Sequence, residues 1–497
     1  EGFDMSNLSD LLPAGAGGKQ VDFVACGNLN NGQAVALKTD GTVEIISSVT
    51  ESYGSIMASG ASNTLYMSGC YNASTSRIIV IGRGGSSDAI YMLGTVSGNA
   101  ITFFNYGTAV GGYSGVSTNY MAIASETNSA YVMFVTQEPE NNNYGAATVG
   151  LISGSSITWG SKYVYSSVYT LWNQVSYDPD TNRFLAPYQN SSSQNGGIVV
   201  LQRTSGTSIT GGSVVDFSTG GNEQPRYFMM TYDTAADKTL MCWTDMSGSK
   251  AGKASAISIS GTTPTLGTVN SFVTGEVYVG DSSYDPVQNK HLLLTNIYFN
   301  ATSNYGYGAT ILSISGSTVT ATVTTTIVAG GSGQFYGATC QYTPSSGLFT
   351  VGLVNASKYL QAGSIDISTG TPVLSSLTTT STAPTGSTTY PYLTSFLNTD
   401  IGNVAFVFKG TSNAAWTQMY VPGSSNNTSF IGITDAAISS GASGSVTIKG
   451  GISSNVTSLT PNSNYYVQTD GTLSTTTSTQ LAGIALSSTS INLDYTT

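Results

Sequence analysis

Residues 173–217 read NQVSYDPDTNRFLAPYQNSSSQNGGIVVLQRTSGTSITGGSVVDF. Runs rich in β-branched, aromatic and small residues alternate here with clusters of turn formers, the pattern of short antiparallel strands. Asn173–Tyr177 reads as a first strand, turned by Pro179–Asn182 into a second at Arg183–Gln189. Gly197–Arg203 is a third, and the Thr204–Thr207 turn leads into a fourth from about Ser208 to Phe217. Four antiparallel strands in one stretch of this length form a single sheet.

The stretch repeats. Its first turn, YDPDTNR from Tyr177, recurs as YDTAADK from Tyr232 and YDPVQNK from Tyr284, with looser copies YNASTSR from Tyr71, ASETNSA from Ala124, YTPSSGL from Tyr342 and FLNTDIG from Phe396. Its second turn recurs as VSGNAIT, ISGSSIT, TSGTSIT, ISGTTPT, ISGSTVT, ISTGTPV and a weak VPGSSNN, carrying Gly98, Gly154, Gly206, Gly261, Gly316, Gly370 and Gly423. Two turn motifs in constant phase at one period mark tandem four-stranded units. A linear array of such sheets leaves long edges open, whereas a ring covers them. The expectation is an all-β chain: a seven-bladed β-propeller of four-stranded antiparallel blades over residues 47–425, plus a small β-module formed by the chain ends.

That module is expected at 426–497, with residues 1–46 an N-terminal arm and β segment that associates with it or closes the ring. Residues 20–46 and 445–475 run alike: strand, turn, strand, then Thr-Asp-Gly-Thr at Thr39–Thr42 and again at Thr469–Thr472, a hairpin signal. The chain opens on Glu1 with no signal-peptide pattern, as a processed product or an internal portion of a longer one does.

Only 8% of the residues are charged and the formal charge is −11. Five arginines and ten lysines, thinly spread, cannot form the basic stripe that phosphate recognition needs, so nucleic acid is excluded as a partner. The densest apolar run, Ile78–Ile81, lies between Arg77 and Arg83, which excludes membrane insertion by a helix. Cys26, Cys70, Cys242 and Cys340 are scattered without a CxxC and read as buried free thiols.

The first and second turns fall at one end of each unit, and the connections between second and third strands, with those between units, at the other. The latter set is long and differs in every copy: QEPENNNYG, QNSSSQNGG, TDMSGSKAGK and NIYFNATSNYGYG. A constant face opposite a variable one places binding on the variable face. Tyr144, Trp172, Arg226, Tyr227, Tyr298, Tyr305, Tyr307, Tyr336 and Trp416 lie in or beside those connections and are the candidate receptor-binding residues, because flat rings stack on sugars.

Catalysis finds less footing in the sequence. Asp178, Asp233 and Asp285 share one turn position and read as turn caps; Glu138, Glu140 and Glu223 are the acids of the variable face; His291 stands outside any recognisable constellation. Asp178, Asp180 and Asn182 alternate like calcium ligands but lack the glycine and distant glutamate of a calcium loop. No catalytic residue, metal or cofactor is expected.

The opening LSDLLPAGAGGK and DFVACGNLNNGQAVALKTDGTVE, the YDxxxNK and NYGxAxxG units, and the endings FIGITDAAISSGASGSVTIKGGI, LTPNSNYYVQTDGTLSTT and LAGIALSSTSINL together resemble structural proteins of tailed bacteriophages, marine and cyanobacterial phages especially. The resemblance implies a non-enzymatic virion protein on the particle surface, a fibre or appendage adhesin that binds a host-surface glycan or protein and contacts other virion proteins, with homo-oligomerisation left open. Two alternatives stand beside it: a capsid or tail decoration protein with purely structural contacts, and a polysaccharide depolymerase.

Overall fold

The computed structural model describes residues 19–494 apart from 59–64, 86–87, 106, 114–117, 219–222, 274, 300–303, 332–336, 356, 358, 381–392 and 411–413. The arm at residues 1–18 therefore lies outside the described residues. Among those described the chain is all strand and turn, with 3-10 turns at Pro139–Asn141 and Asn427–Ser429, and no helix is long and apolar enough to cross a membrane. Two compact units form: Ser52–Pro422, and the chain ends Glu1–Glu51 with Gly423–Thr497.

In the Ser52–Pro422 unit, antiparallel sheets follow one another along the chain. The first is built of Leu65–Asn72, Arg77–Arg83, Ala89–Ser97 and Ala100–Phe103. The same order recurs in Pro225–Asp233, Lys238–Asp245, Gly252–Ser260 and Thr263–Leu266, and again in Val277–Asp285, Lys290–Phe299, Asn304–Ser315 and Thr318–Ala321. The second and third sheets are joined, because Tyr163–Leu171 pairs both with Tyr144–Ser153 and with Arg183–Asn190. The fourth strand is broken into two pieces: in the third sheet Ile209–Gly211 and Val215–Asp216 both pair with Gly196–Arg203.

The turns are made by local chemistry. Asn72, Asp178, Asp233, Asp285 and Asn398 each accept on Oδ1 a backbone N–H two or three residues ahead, at 2.8–3.2 Å, so these side chains are turn caps. Gly98, Gly154, Gly206, Gly261, Gly316 and Gly370 adopt φ between 51° and 80°, the left-handed backbone a two-residue hairpin needs. Gly423, expected as the seventh of this series, belongs instead to the chain-end unit. The last sheet (Leu393–Asn398, Asn403–Lys409, Ala415–Val421) takes its outer strand from the other end of the unit, Ser52–Tyr53 and Met57–Ala58, so no hairpin is needed there.

Strands in the middle of a sheet are buried on both faces. Phe184, Leu185 and Ala186 are successive residues, each at most 2% exposed. Strict in–out alternation is lost because every sheet is sandwiched between neighbours. The cores accordingly lie between sheets. Ile81 and Leu93 of the first pack with Phe134 of the second, and Leu240 and Cys242 of the fourth with Leu293 of the fifth. Phe396, Val407 and Met419 of the last pack with Ile78, Val80 and Met92 of the first.

The chain-end unit is one five-stranded arrangement made twice. One sheet runs Gln20–Val24, Ser443–Ile448, Phe430–Thr434, Ala34–Leu37, Val43–Ile45; the other runs Ile452–Ser453, Ser490–Leu493, Leu481–Ser487, Asn464–Val467, Leu473–Ser474. Leu37 pairs with Val43 as Val467 pairs with Leu473. Asp40 and Asp470 each accept from the threonine two residues on, through N at 2.9 Å and Oγ1 at 2.6 Å. In chain order both copies run the same way, except that residues 52–422 stand between the third and fourth strands of the first copy. Cys26 is exposed and Cys70 half-buried, a correction to the expectation of buried thiols that Cys242 and Cys340 meet.

Candidate functional site

The second copy of the first turn is shifted by one residue from its sequence reading. Ser125 pairs with Val132 and Glu126 N donates to Tyr131 O at 3.0 Å, whereas Asp178 pairs with Arg183; Glu126, not Ser125, therefore fills the Asp178 position. Glu126 receives Arg203 through Nε and Nη2, both at 2.7 Å.

With that register, the residue six before the turn position is aromatic in four successive sheets: Tyr66, Tyr120, Trp172 and Tyr227. All four have left-handed backbone, with φ of 52°, 49°, 57° and 55°. For a bulky L-residue this conformation costs about 1 kcal/mol or more. Tyr66 and Tyr227 sit in bulges where the ladder skips from Leu65 to Ser68 and from Arg226 to Met229. Tyr278 takes the corresponding place in the fifth sheet, one residue earlier and beside a bulge of its own. The sixth sheet has Gly337 there, at φ 95°, and the last sheet's Tyr392 lies outside the described residues.

The five rings form an unbroken file. Centroids are 5.4 Å apart for Tyr66–Tyr120, 4.8 Å for Tyr120–Trp172, 4.4 Å for Trp172–Tyr227 and 5.5 Å for Tyr227–Tyr278. Strained backbone that recurs sheet after sheet, each time to present a ring to its neighbours, marks a site rather than a packing accident.

Cations edge the file. The Arg83 guanidinium lies 5.2 Å from the Tyr66 centroid and donates through Nη1 to Asn119 Oδ1 at 2.5 Å. Arg226 Nη2 donates to Gln194 Oε1 at 3.3 Å, and its buried Nε has no partner. Lys250 donates to Glu276 at 2.6 Å and to the Tyr278 hydroxyl at 3.1 Å, and that hydroxyl donates to Glu276 at 2.7 Å. Burial, then the neighbouring Tyr66 and Tyr169, pushes the Tyr120 hydroxyl up to about 12. Burial, then the bond to Glu276, raises Tyr278.

Three residues further along the Tyr278 strand lies Asp281. Its Oδ2 accepts from Thr339 Oγ1 at 2.6 Å and from Cys340 N at 3.1 Å, and its Oδ1 from Ser282 N at 2.8 Å. Burial outweighs these bonds and pushes its pKa up to about 6.

Of the residues singled out from sequence, the structure brings together Trp172, Arg226 and Tyr227. Tyr144 is half-buried and pairs across the ladder with Tyr169, which neighbours Tyr120. Tyr298 pairs with Tyr305 at the end of the fifth sheet's central hairpin; the Tyr298 side chain lies outside the description, and Tyr305 packs on the core. Tyr307 is 1% exposed and donates to Val354 O at 2.7 Å, which makes it a staple between sheets and removes it from the binding set. Trp416 covers Gly410 and meets Phe408 edge-on. Tyr336 falls outside the described residues. Missed from sequence were Tyr66, Tyr120, Tyr278, Arg83 and Lys250; for Tyr66 and Tyr120 the constant offset from the repeated turn was the available signal.

The other acids are engaged. Glu138 and Glu140 share Lys162 at 2.6 and 3.0 Å, and Glu223 pairs with Lys253 at 3.2 Å. His291 is buried, its Nε2 3.1 Å from Asp233 Oδ2, and burial lowers its pKa, so it is a neutral structural residue between the fourth and fifth sheets. Among the described residues no three His, Cys, Asp or Glu side chains group as metal ligands.

No family model and no curated protein matches the chain. Among solved structures it is similar to a lectin from Burkholderia pseudomallei, at 9% identity over 71% of this chain and 96% of that one, with a TM-score of 0.53. An ulvan lyase, a polysaccharide lyase, follows at 10% identity over 76% and 97%, TM-score 0.48. The periplasmic gluconolactonase of Pseudomonas aeruginosa follows at 10% identity over 72% and 95%, TM-score 0.42. These findings correct the expected function: a lectin, gluconolactonases and polysaccharide lyases are among the similar structures, so the non-enzymatic main reading is not carried forward. The likeness shows the architecture, an all-β fold of β-propeller type built of four-stranded antiparallel sheets.

Proposed function

We propose that the chain is a polysaccharide depolymerase whose substrate lies along the aromatic file. The fold in this reading is a seven-bladed ring, since each core joins neighbouring sheets and the last packs on the first, with Ser52–Ala58 completing the final blade. The chain ends form a separate small module.

The observation that carries the reading is the file itself: five rings in contact, four on strained backbone, at the end of the sheets where the variable connections lie. Aromatic faces of this kind hold successive sugar rings without demanding one hydrogen-bond pattern. Cleavage needs a group that keeps a proton near neutral pH to give to the departing glycosidic oxygen, and Asp281, pushed up to about 6 by burial, is a carboxyl with that property. A second carboxylate is not required if the chain is cut by elimination, in which water takes the proton from the carbon beside the sugar carboxylate, the C–H electron pair forms the new double bond, and the glycosidic oxygen departs with the proton of Asp281.

The test is chain length. Purified protein incubated with a panel of neutral, carboxylated and sulfated polysaccharides is expected to lower the molar mass of at least one and to create new ends. Its rate is expected to fall as pH rises through about 6, where Asp281 loses its proton. Asp281→Asn is expected to lose at least ~100-fold in rate, the scale of acid catalysis. Unchanged molar mass across the panel, or full activity in Asp281→Asn, overturns the reading.

A further inference from the structure

The chain has five arginines, and the structure accounts for three of them without a ligand. Arg203 is held by Glu126. Arg77 donates to three backbone carbonyls, of Thr75, Ser76 and Gly154, and Arg183 donates to the carbonyl of Thr181 inside its own turn. Arg83 and Arg226 differ in what holds them: like Arg77 and Arg183 they form no ion pair with a described carboxylate, but each is held by a side-chain amide, Asn119 and Gln194 respectively, rather than by backbone carbonyls. An amide oxygen positions a guanidinium without neutralising it and leaves most of its five N–H donors unused. In a chain of formal charge −11, both of these amide-held guanidiniums stand beside the aromatic file.

Their placement along the file is specific. Arg83 lies over Tyr66 and is tied to the residue preceding Tyr120, while Arg226 precedes Tyr227 and acts electrostatically on the Tyr120 hydroxyl. Lys250, at the far end, is already neutralised by Glu276. The file thus has a positive stretch over Tyr66–Tyr227 and a compensated end at Tyr278. Planar forks of N–H donors fit carboxylate and sulfate oxygens two at a time.

Resting on the carbohydrate reading above, we propose that the substrate is an acidic glycan, its carboxylate or sulfate groups bound by Arg83 and Arg226 while its sugar faces lie on Tyr120, Trp172 and Tyr227. Both guanidiniums are pre-positioned by neutral amides, so the anion completes a set of donors and displaces no resident carboxylate.

Affinity electrophoresis of the full chain through gels containing polygalacturonate, dextran sulfate or neutral dextran tests this directly. Retardation is expected in polygalacturonate or dextran sulfate and not in dextran, and whichever acidic gel retards tells carboxylate from sulfate. Arg83→Gln with Arg226→Gln is expected to weaken that retention at least 10-fold, and Arg83→Lys with Arg226→Lys to recover part of it. Trp172→Ala is expected to weaken it as well, which plain charge attraction does not explain. Equal retention in dextran, unchanged retention in the glutamine double variant, or no retention in any gel overturns the proposal. Binding and cutting are read separately: acidic glycan retained but never shortened leaves this inference standing and sinks the depolymerase.

Discussion

Asp281 carries a cost that depends on pH. Its carboxyl is held above the ordinary range by burial, so its contribution to stability is fully present below the ordinary carboxyl value and is lost progressively as pH rises from there to about 6, where the half-buried group ionises. The difference from an ordinary carboxyl corresponds to about 3 kcal/mol at most. Thermal unfolding followed from pH 4 to pH 8 is expected to show in the wild type a loss of stability that runs up to about pH 6 and levels above it, and a flatter profile in Asp281→Asn. A second residue-scale effect concerns Asp237, which occupies at φ 50° the turn position that Gly347 and Gly402 fill in later sheets. Asp237→Gly is expected to raise stability by roughly 0.5–1 kcal/mol in denaturant titration, because the left-handed backbone is relieved of its Cβ. Positions such as these were legible in sequence, since an Asx cap or a hairpin glycine acts within four residues of itself. Tyr307 was misread for the opposite reason: its strand begins at Asn304, ahead of any local signal, and its hydroxyl partner at Val354 lies far along the chain.

At the scale of strands and sheets, the repeat could be read because both turns recur in phase. The aromatic file could not be read from any one repeat, since its contacts join residues 51–55 positions apart and its backbone depends on bulges that carry no sequence signature. The one-residue slip at Ala124 hid it further by moving Tyr120 out of line with Trp172. The chain-end strands were equally half-visible. The paired Thr-Asp-Gly-Thr turns showed likeness between the ends, but the neighbour of Ala34–Leu37 is Phe430–Thr434, nearly 400 residues away. The duplication makes a prediction at this scale. Val49 pairs with Ser424, and Glu51 lies against Gly423, so the two ends of the first copy already meet at the point where residues 52–422 leave and return. Removing 52–422 and joining Glu51 to Gly423 through a short Asn-Gly turn is expected to leave a folded β-protein with a cooperative unfolding transition. A chain without dispersed amide resonances shows that the two copies do not stand alone.

For the whole molecule, one arrangement described above sets the order in which the parts can be completed. Ser52–Ala58 waits for Ala415–Val421, and the strands that precede both wait longer still, for Phe430–Thr434 and Ser443–Ile448. During synthesis the sheets in between can stack as they emerge, but the seam is sewn only once the strands out to Ser443–Ile448 have left the ribosome. Until that moment an early edge stays bare while later ones accumulate, which makes the nascent chain vulnerable to pairing with its neighbours on the same message. The second copy of the end arrangement escapes this delay, because its five strands follow one another in the chain without interruption.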